Sequence, residues 1–387
     1  MAKALLACGL IIGCGGAEPG ESEEPPAVEV VWTYVESSPV NGFINAHAIA
    51  VDEDDAVFVV GEVSLDERLR PDDTDNRELL VRGLSAEGAP LWTPARVDAR
   101  PDDADRAVAV AALGGGRGAL VVGQFDASIR AYGRDGDASW EVSLSDGGDG
   151  SLEGEAIVAL DDGTFVVAVG SPWLVKIDGE GQRLRDLPQD YGVPRSRSTA
   201  IAAAGHRVFA GGTYGAWDAP MIWIGAFTST LDPIWIVDGR PGHLDAVAAI
   251  EEDVVIAEHA DEGVTWDERY EVDLGGAARL SRRSGTDGSV LWERALDESR
   301  GQRIRALAAR PGGDLIVVGE YSEPYLLAWI ARLDGEGETL WSETVEIEED
   351  GLSQARALAI APSGRLYVAG LATDAVGYHR LWVQARG

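Results

Sequence analysis

The chain has 387 residues, 66 acidic and 32 basic, and a formal charge of −34 at neutral pH. An acid excess of two to one argues against nucleic acid or an anionic lipid surface as partner, because both are polyanions. Its two cysteines, Cys8 and Cys14, lie in the first 14 residues, so the remaining chain has neither a disulfide nor a thiolate metal site.

Lys3 and an apolar run over residues 4–12 lead to Gly13-Cys14, the order of an export signal. Ile11-Ile12-Gly13-Cys14 resembles a bacterial lipobox. That resemblance implies a signal peptide over 1–13, cleavage before Cys14 and lipidation of its thiol, palmitate included. Each buried acyl CH₂ contributes about 0.8 kcal/mol, so several chains together anchor a protein stably. Residues 14–27 are rich in Gly, Glu and Pro and have no apolar periodicity, which predicts a disordered tether. No later stretch reaches the roughly 18 apolar residues that a membrane helix needs.

Residues 28–387 repeat one phrase seven times. Its first half is a polar residue followed by small and branched apolar ones, at 47–51, 106–110, 155–159, 199–203, 245–249, 305–309 and 356–360. A Gly/Asp turn and a second apolar run follow, at 57–60, 120–122, 165–169, 208–210, 254–257, 315–318 and 366–369. Glycine closes six of these runs, at Gly61, Gly123, Gly170, Gly211, Gly319 and Gly370; Ala257 is the exception. Runs this short, rich in Val and bounded by turns, predict strands. About 51 residues per unit fits the four strands of a propeller blade. The predicted fold is all-β: a seven-bladed β-propeller of four-stranded antiparallel blades. The seventh unit ends on its third strand, at 381–385, while the chain begins with a lone Trp-bearing strand at 30–35. Together they complete one blade and close the ring.

In six of the seven units the last strand carries a tryptophan: Trp32, Trp92, Trp140, Trp235, Trp292 and Trp341. Gly88, Gly136, Gly288 and Gly337 stand four residues before four of them, whereas in the third unit Gly181 precedes Arg185. These Gly-x-x-x-Trp segments resemble the pyrroloquinoline-quinone-like propeller repeat, in which the segment docks one blade on the next. The resemblance implies that these tryptophans are packing residues.

No catalytic constellation is present: there is no nucleophile elbow and no phosphate loop. The resemblance carries over no quinone-binding set. No cofactor and no metal are expected. His47, His206, His243, His259 and His379 lack paired metal spacing, are assigned to different units and read as lone surface histidines. The Asp-rich segments 72–76 and 146–150 read as solvated turns.

The most suggestive constellation is positional. The residue before each first strand is His47, Arg106, Glu155, Thr199, Asp245, Arg305 or Arg356. Two residues earlier stand Asn45, Ala104, Glu153, Arg197, His243, Arg303 and Gln354. First strands are innermost in a propeller, so these positions predict a mixed-charge mouth on the central channel whose arginines can hold an anion. Arg106, Arg305 and Arg356 are expected to repel one another there, with Glu155 and Asp245 offsetting only part of the charge. The second-to-third-strand links 62–78 and 258–275 open on the same side, and the latter carries Trp266 and Tyr270 as candidate contact residues.

The expected function is a lipid-anchored cell-envelope propeller that binds or scaffolds an envelope protein or glycan without catalysis. It is similar in architecture and placement to the propeller lipoproteins of outer-membrane protein assembly, which have eight blades. Gly15 after the cysteine lacks the Asp that often retains lipoproteins at the inner membrane, so an outer-membrane anchor is expected, facing the periplasm or the cell surface. The alternative is an exported propeller enzyme acting on glycans.

Overall fold

The computed structural model describes residues 28–387 apart from 39–42, 65–76, 94–95, 99–105, 125–127, 145–152, 170–172, 188–195, 217–218, 260–264, 268–271, 275–277, 297–301, 322–325, 350 and 375–376. Cys14, the tether and both Asp-rich segments lie outside the described residues. Those described form strands and turns, with no helix among them.

The strands make seven four-stranded antiparallel sheets. Blade 1 is β2 (Ile44–Val51), β3 (Val57–Ser64), β4 (Arg77–Leu84) and β5 (Arg96–Asp98), and blade 2 is β6 (Ala107–Leu113), β7 (Gly118–Gly123), β8 (Ser128–Tyr132) and β9 (Ala138–Ser143). Blade 3 is β10 (Gly154–Ala159), β11 (Phe165–Val169), β12 (Trp173–Ile177) and β13 (Arg183–Asp186). Blade 4 is β14 (Ser196–Ala204), β15 (Arg207–Ala216), β16 (Ala219–Thr228) and β17 (Pro233–Pro241). Blade 5 is β18 (His243–Ile250), β19 (Asp253–His259), β22 (Ala278–Arg283) and β23 (Val290–Ala295), with a hairpin of β20 (Thr265–Asp267) and β21 (Val272–Leu274) inserted after its second strand. Blade 6 is β24 (Gln302–Ala309), β25 (Leu315–Tyr321), β26 (Leu327–Leu333) and β27 (Thr339–Val345). Blade 7 is β28 (Ser353–Ile360), β29 (Leu366–Thr373), β30 (His379–Arg386) and, from the other end of the chain, β1 (Val30–Ser37).

Strand patterning follows position in the blade. Second strands are covered on both faces by neighbouring blades, so β3, β7, β11 and β25 are buried at every residue and begin as unbroken apolar runs. Fourth strands form the rim, so β1 and β9 alternate between exposed and half-buried residues. The apolar core is correspondingly divided into seven clusters, one in each seam between adjacent blades. First strands touch in a closed cycle: β2, β6, β10, β14, β18, β24, β28 and back to β2.

Closure is made by β1 pairing with β30 from Val30↔Arg386 to Ser37↔Arg380. The Gly387 amide also donates to the Glu29 carbonyl at 3.0 Å. The latch expected from the two incomplete units is present.

At five seams the indole of one blade lies on a turn glycine of the next: Trp32 on Gly88, Trp92 on Gly136, Trp140 on Gly181, Trp235 on Gly288 and Trp292 on Gly337. At Gly88, φ is +83° and a Cβ would sit 2.6 Å from the Trp32 ring, so only glycine satisfies both constraints. Trp32, Trp235 and Trp292 each also donate Nε1–H to a carbonyl of that turn, at 2.8–2.9 Å. The seam between blades 3 and 4 lacks both halves of the device. Arg185 replaces the tryptophan and pairs with Asp232, and Leu231, at φ +63°, replaces the glycine. Lys176 of blade 3 reaches the Ser229 carbonyl at 2.8 Å across this seam.

Candidate functional site

In every blade the first strand carries one extra residue against the second. The extra residue is His47, Val108, Glu155, Arg197, Asp245, Arg305 or Arg356. A bulge bends its strand and re-aims the bulged side chain, and here it recurs in all seven blades at the same end of the innermost strands. Five bulges coincide with the positions expected from sequence. Blades 2 and 4 differ by two residues: Arg106 precedes the bulge at Val108, and Thr199 follows the bulge at Arg197. A two-residue slip keeps side chains on the same face, so the polar pattern survived the misalignment. Arg106 is therefore equivalent to Asn45, Glu153, Arg303 and Gln354. The side chains of Arg197 and Thr199, and all of Ala104, lie outside the described residues.

The bulge also explains the closing glycine. A Cβ on Gly61, Gly319 or Gly370 would overlap the carbonyl of Asn45, Arg303 or Gln354, which the bulge pushes over the second strand. In blades 3, 4 and 5 that register is held by Val169, Tyr214 and Glu258 instead. Gly211 thus lies three residues short of it. Gly319→Ala is expected to cost about 3 kcal/mol, the upper range of overpacking, because a backbone carbonyl cannot rotate away. Urea unfolding checks it, with Gly114→Ala, in open space and without a left-handed φ, as the control.

The partners of the bulge residues come from the end of the second strand, one position beyond the glycine. Glu62, 1% exposed, stands 3.2 Å from His47 Nε2. Glu320, 2% exposed, accepts from Arg305 Nε at 2.8 Å and Nη2 at 2.6 Å. His259 Nδ1 is 2.7 Å from Asp245 Oδ2, and Arg106 donates to the Gln124 amide oxygen. Gln124 donates in turn to Glu153 at 3.2 Å, joining blades 2 and 3, and Arg303 stands 3.8 Å from Asp245, joining blades 6 and 5.

Blade 7 differs. Its equivalent position is Leu371, and Arg356 places Nε and Nη2 on the single amide oxygen of Gln354, at 2.9 and 2.7 Å. Burial lowers Arg356 to about 10, with Arg305 acting in the same direction and Glu320 and Glu62 against it. Burial also pushes the His47 imidazole below its ordinary value; Glu62 opposes this, and Arg356 and Arg106 reinforce it.

Two sequence expectations are corrected. His243 and His259 belong to the same blade and stack at 4.8 Å, and His259 is buried, as is the His47 environment, so these are not lone surface histidines. Arg305 is paired with Glu320, and Glu320 and Glu62 act on Arg356 without bonding it; sequence reasoning missed both acids. The available signal was the polar residue after the closing glycine, in Gly61-Glu62, Gly123-Gln124 and Gly319-Glu320. Trp266 lies on the inserted hairpin, its side chain outside the described residues, and Tyr270 is outside them altogether. Among the described residues no cluster of three or more His, Cys, Asp or Glu is arranged to hold a metal ion. A separate cleft of about 270 Å³ at blade 6 is lined, among the described residues, by Leu296, Gln302, Tyr321, Trp329, Thr339 and Ser342, none of which carries a carboxylate, imidazole or guanidinium.

The sequence matches no protein-family model and no curated protein. Among solved structures, it is similar to Kuenenia stuttgartiensis hydrazine synthase, with a TM-score of 0.58 at 13% identity over 84% of this chain and 92% of that one. It is also similar to the Cps50 (Swd1) β-propeller domain of Myceliophteria thermophila, with a TM-score of 0.57 at 13% identity over 92% and 99% of the two chains. This chain is a seven-bladed β-propeller. At such identity the likeness extends to the fold alone, since propellers host many unrelated functions.

Proposed function

We propose that this chain is a lipid-anchored β-propeller of the cell envelope that binds or scaffolds a partner without catalysis, with the channel mouth as its contact surface. The observation that carries the reading is the bulge repeated in all seven blades, which sets a polar or charged residue at the mouth in six of them. A device repeated so regularly costs backbone pairing at each occurrence, and binding residues concentrate where a rigid scaffold holds them. The lipobox-like Ile11-Ile12-Gly13-Cys14 supports the anchor, and the indole-on-glycine seams are in keeping with the pyrroloquinoline-quinone-like repeat.

Capture from detergent-solubilised envelope tests the mouth. Arg106→Gln/Arg356→Gln should retain the wild-type melting temperature and lose at least fivefold in partner recovery; undiminished recovery removes the mouth from consideration. Cys14→Ala should move the protein from the membrane to the soluble fraction. An unacylated mature N-terminus in the wild type would defeat the anchor. The observation that favours a glycan is the cleft at blade 6, whose described lining offers amide, hydroxyl and aromatic groups that suit a sugar. Glycan-array binding abolished by Gln302→Ala would make the ligand a sugar held there.

A further inference from the structure

We propose that Arg356 is the seat of a carboxylate-bearing ligand, whose carboxylate takes the place of the acid that blade 7 lacks; this rests on the mouth being the contact surface. Blades 1 and 6 supply an acid where blade 7 has none. In those two blades the position after the closing glycine is Glu62 or Glu320, and each faces the bulge residue of its own blade. Register places Leu371 at that position in blade 7: Gly370 pairs with Ala355 as Gly61 pairs with Ala46 and Gly319 with Ile304. Leu371 is buried and apolar.

Arg356 is consequently held but not neutralised. Both of its hydrogen bonds go to one uncharged oxygen, that of Gln354, itself 4% exposed. A guanidinium has five N–H donors in a planar fork, so Nη1 and the second Nη2 hydrogen remain to grip two carboxylate oxygens. Arg106 is also on an amide, but that amide passes on to the Glu153 carboxylate. Arg305, the neighbour of Arg356, is already committed to Glu320. Even lowered to about 10, Arg356 is charged at neutral pH, so the mouth holds a positive charge that a ligand can compensate. A single carboxylate suits the seat better than a dianion, because Glu62 and Glu320 both act on Arg356.

The seat also couples to a proton. His47, in the next blade, is held neutral by burial and by Arg356 and Arg106, against Glu62. A carboxylate on Arg356 offsets one of those two cations. The imidazole then takes up a proton more readily, and binding tightens as pH falls below the ordinary imidazole value.

The test follows the His47 ring by ¹⁵N NMR in the full folded chain, titrated with sodium acetate against sodium chloride of equal ionic strength. Acetate should shift the ring saturably and raise its titration midpoint by about one pH unit, a tenfold change in proton affinity; inorganic phosphate should bind more weakly. Arg356→Gln should abolish the effect. Leu371→Glu, which restores the acid found in blades 1 and 6, should abolish it too while leaving the chain folded and equally stable. An acetate response no greater than that of chloride, or one that persists in Leu371→Glu, overturns the proposal. Failure here with partner capture still lost in Arg106→Gln/Arg356→Gln leaves the mouth as contact surface without a carboxylate seat. Acetate binding with unchanged capture leaves the seat and removes the mouth as the partner's surface.

Discussion

Removal of residues 28–37 is expected to abolish cooperative unfolding and to drive aggregation. Those residues supply the whole fourth strand of blade 7, and without them β30 presents an open edge over the length it now pairs with β1. The same deletion takes the Trp32 indole off Gly88 and the Ala86 carbonyl, which opens the seam to blade 1. It also takes Glu36 from Arg82, whose side chain is buried beneath it. A ring open at one seam exposes two apolar blade faces, whereas the loss of a terminal strand from an open sheet would expose one. Trp32→Ala isolates the packing part and should cost about 2–3 kcal/mol, less than a fully buried aromatic because Trp32 is half-buried. Thermal melts with size-exclusion chromatography check both variants. A deletion variant that melts like the wild type would mean that the ring is closed by something other than β1.

The second large effect is expected from Arg305→Gln, at about 3 kcal/mol of destabilisation. Charge counting at the mouth points the other way, since three arginines at repeat-related positions suggest relief on losing one. Geometry reverses the sign. Arg305 is the bidentate partner of Glu320, and removing it leaves a carboxylate that is 2% exposed facing an uncharged amide. Breaking a buried pair by deleting one member leaves the other charge uncompensated, which costs more than the pair itself contributes. Arg305→Gln/Glu320→Gln should recover most of the loss, because two amides can hydrogen-bond each other. Arg356→Gln should leave stability equal or improved, since among the described residues no acid lies within hydrogen-bonding distance of it. Urea denaturation of the three variants decides the matter. Arg305→Gln as stable as the wild type would show that Glu320 is satisfied by other means.

Much of the architecture was legible because propeller blades write their strand order into composition. Doubly covered second strands become unbroken runs such as Val57-Phe58-Val59-Val60, and rim strands carry an exposed apolar residue beside a docking tryptophan, as Leu291 does beside Trp292. The incomplete first and last units pointed to the latch. Less legible was register. The glycine at 211 suggested an alignment three residues from the one adopted, and Arg106 and Thr199 each fell two residues from the bulge. A bulge inserts one residue without any required side chain, so repeat alignment by residue type cannot locate it.

The sequence by itself determined the number of blades, the four-strand unit and the closure of the ring, and the polar character of the mouth. These follow from periodicity and from the need to bury apolar faces and pair strand edges, which are properties of local composition. Tertiary structure alone decided which charges at the mouth are spent. Whether an arginine is neutralised depends on a residue some 15 positions away on the returning strand: Glu320 answers Arg305 and Glu62 answers His47, while Leu371 leaves Arg356 to an amide. Pairing across a hairpin is set by register, and register here is set by a bulge that the residue types do not mark.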